Sequence, residues 1–329
     1  MSLINPSRAL NQALSCPRGQ KTGWLSARCP RVAVVLLLLA LTVAAGCAPK
    51  IERTRIPSLS ESYRPGSIVS ADANGPVSFE QMIADLADAR VVYVGETHTR
   101  ERDHDIQLKI LKALRKEHPG LCVGMEMFSR PYQEVLDQWS AGSLETDTFI
   151  RMVHWYANWK FDFGLYADLL DFIRKRGVPL YGLNIAFHVP PKVAAGGLDS
   201  LLSEDAARLP AEIDLSDSEH REYVRKVFEG HHNRRLSGRQ YKFAHFYQAQ
   251  VLWEEVMAET VSRLRENRLM VVFTGNGHII RDFGIPARAY RRSGARYRTV
   301  MPVAAGRQEK LSAADYLWIT PKADASPHP

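Results

Sequence analysis

The chain has 329 residues, 45% hydrophobic and 24% charged, enough for one large core or two small ones and unlike a disordered or fibrous composition. The formal charge of +7 suggests a polyanion partner, but residues 1–46 hold Arg8, Arg18, Lys21, Arg28 and Arg31 and no acid. Without them the charge falls to +2, and the electrostatic argument for nucleic acid goes with it.

The first predicted element is an apolar run of 14 residues, from Val32 to Ala45. A spanning helix needs about 20. With basic residues before it and small residues after, the run reads as a secretory signal. It closes on "VAAGC", which resembles a bacterial lipobox, so Cys47 is the predicted lipidation site and mature N-terminus. Ala44 stands where Leu is commonest. Ala48, with no Asp there, resembles lipoproteins sorted to the outer membrane. The alternative is a plain signal peptide with Cys47 incidental. Cys16 and Cys29 leave with the signal, and Cys122 lies in an apolar run that reads as core. That excludes a disulfide framework and a cysteine metal site.

The predicted organisation is a signal over 1–46, a lipidated N-terminus and tether over 47–75, a main domain over 76–305 and a tail over 306–329. The tether is rich in Pro, Ser, Gly and Asn, with one short strand near Ser67–Val69. Ser78 and Gln81 form a capping-box pattern at the start of a helix. Short continuous apolar runs then alternate with amphipathic helices. The strands are 90–95, 121–128, 178–184, 268–278 and a last one at 297–303; the helices are 102–117, one beginning near Pro131, 164–177 closed by Gly177, 217–229 and 240–266. Such alternation predicts an α/β fold, a mostly parallel sheet covered by helices on both faces, with an additional helical insert. No internal repeat is visible.

Ligands of such sheets bind beyond the carboxyl ends of the strands. Four strand exits deliver Glu96 and His98 (with His104 in the next helix), Glu126, Asn184 and His188, and Asn276 and His278. Each signal is weak alone, since a lone histidine after a strand is more often a cap or core residue. Together they predict a shared site. Gly95, Gly275 and Gly277 permit tight turns there. No P-loop, GxGxxG, G-x-S-x-G or H-E-x-x-H pattern is present. Carboxylates and imidazoles without a nucleophile suit a divalent metal with Glu as base, or the polar rim of a bound cofactor.

Residues 152–166 crowd His154, Trp155, Tyr156, Trp159, Phe161, Phe163 and Tyr166 together. Ordinary packing accounts for such a segment as well as a wall for a flat ligand does. Haem fits the second reading, because its iron accepts Tyr or His. His231, His232, Arg234 and Arg235 suit propionates or metal, although a solvated loop is the commoner outcome. Residues 241–264 read as a helix whose Phe246, Ala249, Trp253, Val256 and Met257 make a core stripe. The pattern assigns no role to its polar His245, Gln248, Gln250 and Glu254.

The ordered motifs "VGETHTRERDH", "GMEMFSR", "YGLN", "AQVLWEEVMAE" and "GNGHIIRDFGIP" resemble the ChaN-like haem-binding uptake lipoproteins of the Tiki superfamily, over about residues 76–305. The resemblance implies a haem-binding α/β domain, lipid-anchored at the outer membrane and assisting iron acquisition beside an outer-membrane haem receptor. It also implies a homodimer holding two haems face to face, with Tyr as axial ligand and His assisting. Tyr166 and Tyr156 are the candidate ligands, with Trp155 and His154 beside them. Related members are metal-dependent proteases and erythromycin-esterase-like enzymes, so Glu96, His98, Glu126 and His278 stand alternatively as a metal-dependent hydrolytic centre. Nucleic acid is not an expected partner.

Overall fold

A computed structural model describes residues 52–232, 242–263 and 268–322. Cys47, Arg234 and Arg235 lie outside these residues, as do the side chains of His231 and His232.

The chain begins with a two-stranded antiparallel pair, β1 (Thr54–Arg55) and β2 (Ser62–Tyr63). The hairpin β3 (Ile68–Ser70) and β4 (Gly75–Val77) follows, then helix α1 (Phe79–Ala87). Ser78 and Gln81 satisfy each other's backbone N–H at its start, as the capping box predicts. Next come β5 (Val91–Glu96), α2 (Glu101–Glu117) and β6 (Cys122–Ser129). Four helices, α3 (Gln133–Ser140), α4 (Thr146–Met152), α5 (Trp155–Asn158) and α6 (Gly164–Arg176), lead to β7 (Leu180–Asn184). Gly177 ends α6 with φ +59°, the left-handed cap its position predicts.

The helical insert lies beyond β7, as α7 (Val189–Gly196), α8 (Ser203–Ala206), α9 (Ser218–His232) and α10 (Phe243–Arg263). Then follow β8 (Met270–Gly275), α11 (Ile285–Ser293), β9 (Tyr297–Ala304) and β10 (Tyr316–Thr320).

Among the described residues the main sheet has eight strands in the order β4-β3-β10-β9-β5-β8-β6-β7. The six from β10 to β7 pair in parallel, and β3 pairs antiparallel with β10 and β4. Every residue of β5, β6 and β8 is buried, as strands covered on both faces require. Alternate residues face opposite layers. Val92, Val94, Val271 and Phe273 pack with Ile110 and Leu114 of α2 and Leu170 of α6. Val91, Tyr93, Met270 and Val272 pack with Met257 and Val261 of α10 and Ile285 of α11.

Two expectations change. The strand at 297–303 is not the last, and 306–322 is not tail: β10 pairs along β9, with Leu317 and Ile319 fully buried. The β9–β10 connection carries a single 3-10 turn, Leu311–Ala313, and no α-helix, so the strand–helix rhythm stops although the sheet continues. With β3 as well, the sheet reaches beyond 76–305 at both ends.

The chain leaves β5 for β6 on one side and later places β9 on the other. That reversal opens a crevice at the carboxyl ends of β5 and β8.

Candidate functional site

Glu96, the last residue of β5, is buried. Its Oε1 accepts from the Tyr166 hydroxyl at 2.6 Å and lies 2.7 Å from His98 Nδ1. Its Oε2 accepts from Gln107 at 2.8 Å and lies 3.3 Å from His104 Nδ1. Burial opposes the charge of this carboxyl, but hydrogen bonds from His104 and His98 outweigh it and hold the pKa down at about 2. Burial pulls the two imidazoles down as well, and Glu96 more than reverses that, so both are raised.

Glu126, on β6, points its Oε2 at Thr274 Oγ1 and the Gly275 N–H, each 2.7 Å away. Its Oε1 lies 3.4 Å from His278 Nε2. The other ring nitrogen of His278 meets Gln250 at 3.1 Å and Glu254 at 3.3 Å. Burial would lower the His278 pKa, but Glu126 and Glu254 on its two sides raise it to about 10. Glu126 and Glu254 are held far below the usual carboxylate range. Burial opposes this in both, and it is outweighed by His278 for Glu126 and by His220 and His278 for Glu254. Behind Glu254, Arg288 reaches Glu254 and Glu255, and Arg291 and Arg292 also reach Glu255.

The strand ends meet closely because glycine is the last residue of β8 and the last but one of β5. A Cβ on Gly95 would lie 2.0 Å from Asn276 Oδ1, and one on Gly275 would lie 2.9 Å from the His98 ring.

Above this floor is a cavity of about 340 Å³, lined by Glu96, Thr97, His98, Gly275, Asn276, Gly277 and His278 on the strand side, with Gln250 of α10 beside them. Its other wall is Tyr223, Val224 and Val227 of α9 with Phe246 of α10. The sequence reading missed Tyr223 and placed Phe246 in the core stripe, whereas Phe246 is half-buried. The signal for Tyr223 was its i, i+4 spacing with Val227, which puts both on one helical face.

The remaining candidates divide. His104 is buried, with its ring 4.3 Å from that of Tyr166. Asn184 is a buried brace: its amide donates to the Glu126 carbonyl at 3.2 Å and its oxygen accepts from Ile185 N–H. Asn276 lines the cavity, with its amide 3.4 Å from the Pro302 carbonyl. His188 does not join the site but pairs with Asp205 at 2.9 Å.

The expected aromatic wall is also corrected, because its members part company. Trp155 and Tyr166 are core residues, 1% and 0% exposed, whereas Tyr156 is 57% exposed and His154 is exposed against Tyr132. Besides Tyr166, whose hydroxyl meets Glu96 from the core, the part of that segment that reaches the site is Trp159 and Phe161, whose rings lie 4.8 and 5.0 Å from that of His98.

The metal alternative finds no support among the described residues. Among the described residues no three His, Cys, Asp or Glu side chains stand where they could share a metal ion. The imidazoles of His98, His104 and His278 are instead paired with carboxylates.

Comparison with solved structures finds ChaN of Campylobacter jejuni, described as binding haem cofacially. It is 17% identical, with 76% of this chain and 95% of that one covered and a TM-score of 0.64. The type III effector HopBA1 (11% identical, covering 74% and 92%) and the erythromycin esterase EreC in its open conformation (11%, covering 69% and 74%) are more distant, each with a TM-score of 0.42. Those two likenesses carry nothing about the site. No curated protein sequence matches the chain. The family model described as haem-binding uptake, Tiki superfamily, ChaN matches residues 82–289. With most of the chain matched and the ChaN-like fold in place, this protein belongs to the ChaN family of the Tiki superfamily.

Proposed function

We propose that the protein is a lipid-anchored haem-binding protein of the cell envelope that assists haem or iron uptake. The observation that carries the reading is the helical wall of the cavity. Val224, Val227 and Phe246 offer apolar surface, and the Tyr223 hydroxyl makes no hydrogen bond to the described residues. Haem asks for an apolar slot, an axial oxygen or nitrogen, and polar partners for its propionates. The wall meets the first two demands. Tyr223 would hold the iron, with His98 and His278 on the same cavity. Burial, with Glu309 nearby, raises the Tyr223 phenol, so the hydroxyl keeps its proton in the ligand-free protein. Tyr166 is a poor ligand, because its hydroxyl is buried and bonded to Glu96.

Family membership supports haem as the ligand, and the lipobox at Cys47 supports the anchor. An outer-membrane position, a haem receptor as partner and a homodimer with paired haems complete the proposal. Haemin added to the chain from residue 48 onward should give a shifted Soret band that saturates. An unchanged haemin spectrum overturns the haem reading, and mass spectrometry finding Cys47 unmodified overturns the anchor.

A second reading, a hydrolase, has one observation in its favour. Glu96 orients His98 through Nδ1, and the ring's other nitrogen lies beside Gly275 on the cavity, the arrangement of a general base. It predicts ester or peptide hydrolysis without added metal, abolished in His98→Ala while the haemin spectrum persists. The absence of hydrolysis across both substrate classes would remove it.

A further inference from the structure

We propose that His220 is a positioning residue for Tyr223. It ties the first turn of α9 to the buried floor through Glu254, and so sets where the Tyr223 hydroxyl enters the cavity. This role rests on Tyr223 as the axial ligand of the proposed haem.

Helix α9 carries His220, Tyr223, Val224 and Val227 at i, i+3, i+4 and i+7, one stripe along one face. His220 and Val224 are buried, 0% and 3% exposed, whereas Tyr223 and Val227 are half-buried on the cavity. Glu219, Arg221, Glu222 and Lys226 are exposed. Among the described residues of α9, then, two side chains are buried, and one of them is polar.

Val224 packs with Tyr247 and Val251 of α10. His220 makes the polar contact. Its Nε2 faces Glu254 Oε2 at 3.4 Å, an ion-pair distance, and no closer hydrogen-bond acceptor serves it among the described residues. Its Nδ1 lies 3.4 Å from a terminal nitrogen of Arg288. A guanidinium can only donate, which leaves the ring proton on Nε2, the nitrogen beside the carboxylate. Glu254 is itself held, because its Oε1 accepts from Gln250 at 2.8 Å and lies 3.3 Å from His278 Nδ1. The other nitrogen of His278 is 3.4 Å from Glu126 of β6. One buried line, Glu126–His278–Glu254–His220, thus runs from the sheet to α9, and Tyr223 stands three residues beyond its end.

Phe283 supports the same turn of helix from the side. Its ring lies 5.7 Å from that of His220 and 6.2 Å from that of Tyr223. The turn that delivers it holds Arg281 and Asp282 at φ 55° and 58°, a left-handed conformation that non-glycine residues keep where their surroundings fix it. At the helix start the Asp217 carboxylate accepts from the His220 N–H at 2.9 Å, an N-cap contact. Backbone and ring of His220 are therefore both fixed. A ligand site works only when it is held within about 0.5 Å of its productive geometry. A tie one turn before the ligand residue supplies that precision on a helix with little else buried.

Two conservative variants separate the contact with Glu254 from mere polarity at the position. In His220→Gln the side-chain amide falls where Nε2 stood and still reaches Glu254. In His220→Asn the shorter amide falls where Nδ1 stood, reaches Arg288 and leaves Glu254 unmet. Hydrogen exchange reads the helix on full chains without haemin. The amides of residues 223–227 should exchange on the order of tenfold faster in His220→Asn than in the native protein, and within about twofold of native in His220→Gln. The same chains loaded with haemin are then compared by resonance Raman. The iron–tyrosinate band should be lost or shifted in His220→Asn and kept in His220→Gln. An unchanged band in His220→Asn overturns the proposal even where exchange rises, because the helix would then loosen without displacing the hydroxyl. Equal loss of the band in both variants overturns it too, since contact with Glu254 would then not be what matters. Loss of the fold in either variant does the same, because His220 would hold the domain and not one helix. A native protein without the band overturns Tyr223 as ligand, and the exchange difference alone then decides whether His220 mounts the helix.

Discussion

Beneath the cavity Glu126 and His278 at the strand ends, with Glu254 reaching them from the buried side of α10, are buried, and each meets at least three polar partners. On the helical wall Tyr223, Val227 and Phe246 are half-buried and face open space. The two regions enclose one cavity under different constraints. The floor stands mainly on the carboxyl ends of parallel strands, where buried charges have to satisfy one another. The wall stands on an inserted pair of helices, where an apolar face can remain uncovered. The strand-end Glu and His residues therefore act first as a brace, and ligand selectivity belongs to the helices.

That division is broken most directly by Glu254→Ala. The change removes one of the two carboxylates that Arg288 and His278 each meet in the buried network, and should cost about 3–5 kcal/mol. A loss below about 1 kcal/mol in denaturant unfolding would mean that the floor is no brace. The next largest effect is on pH. Glu96 is lowered from 4.5 to about 2, so its contribution is complete above pH 4.5 and fades as pH falls toward 2. His278 is raised from 6.5 to about 10, so its contribution is complete below pH 6.5 and fades as pH rises toward 10. Stability should peak between pH 4.5 and 6.5, and His278→Gln should flatten the alkaline side. An alkaline limb unchanged in that variant contradicts the assignment. Smaller still is Tyr166→Phe, which removes one hydrogen bond to a buried carboxylate and should cost roughly 1–3 kcal/mol. Haemin binding should survive it. The smallest stability change, within about 0.5 kcal/mol, belongs to Tyr223→Phe, whose hydroxyl has no hydrogen-bond partner among the described residues.

Much of the floor was legible in the sequence. Continuous apolar runs ending in "GETH", "GMEMF" and "GNGH" place Glu96, His98, Glu126 and His278 at one edge because parallel strands share their direction. The stripe Tyr166, Leu169, Leu170 and Ile173 also announced a buried face of α6 at helical spacing, and reading Tyr166 as a ligand wall set that stripe aside. Other features were not legible. "YLWIT" is too short and apolar to declare itself without a helix before it, and its place in the sheet comes from pairing with β9 and β3. Periodicity locates the face of α9 that carries Tyr223 and Val227, but only the packing of the insert over the strand ends turns that face to a cavity. His188 follows the same logic in reverse, since local pairing with Asp205 and the start of α7 carry it away from the edge.

The most direct measurement is a haemin titration of the native protein beside Tyr223→Phe and Tyr166→Phe, followed by visible absorption and resonance Raman. The account predicts an iron–tyrosinate signature in the native protein and in Tyr166→Phe, and its loss in Tyr223→Phe with the fold intact. A signature that persists in Tyr223→Phe, or that disappears in Tyr166→Phe alone, would contradict it.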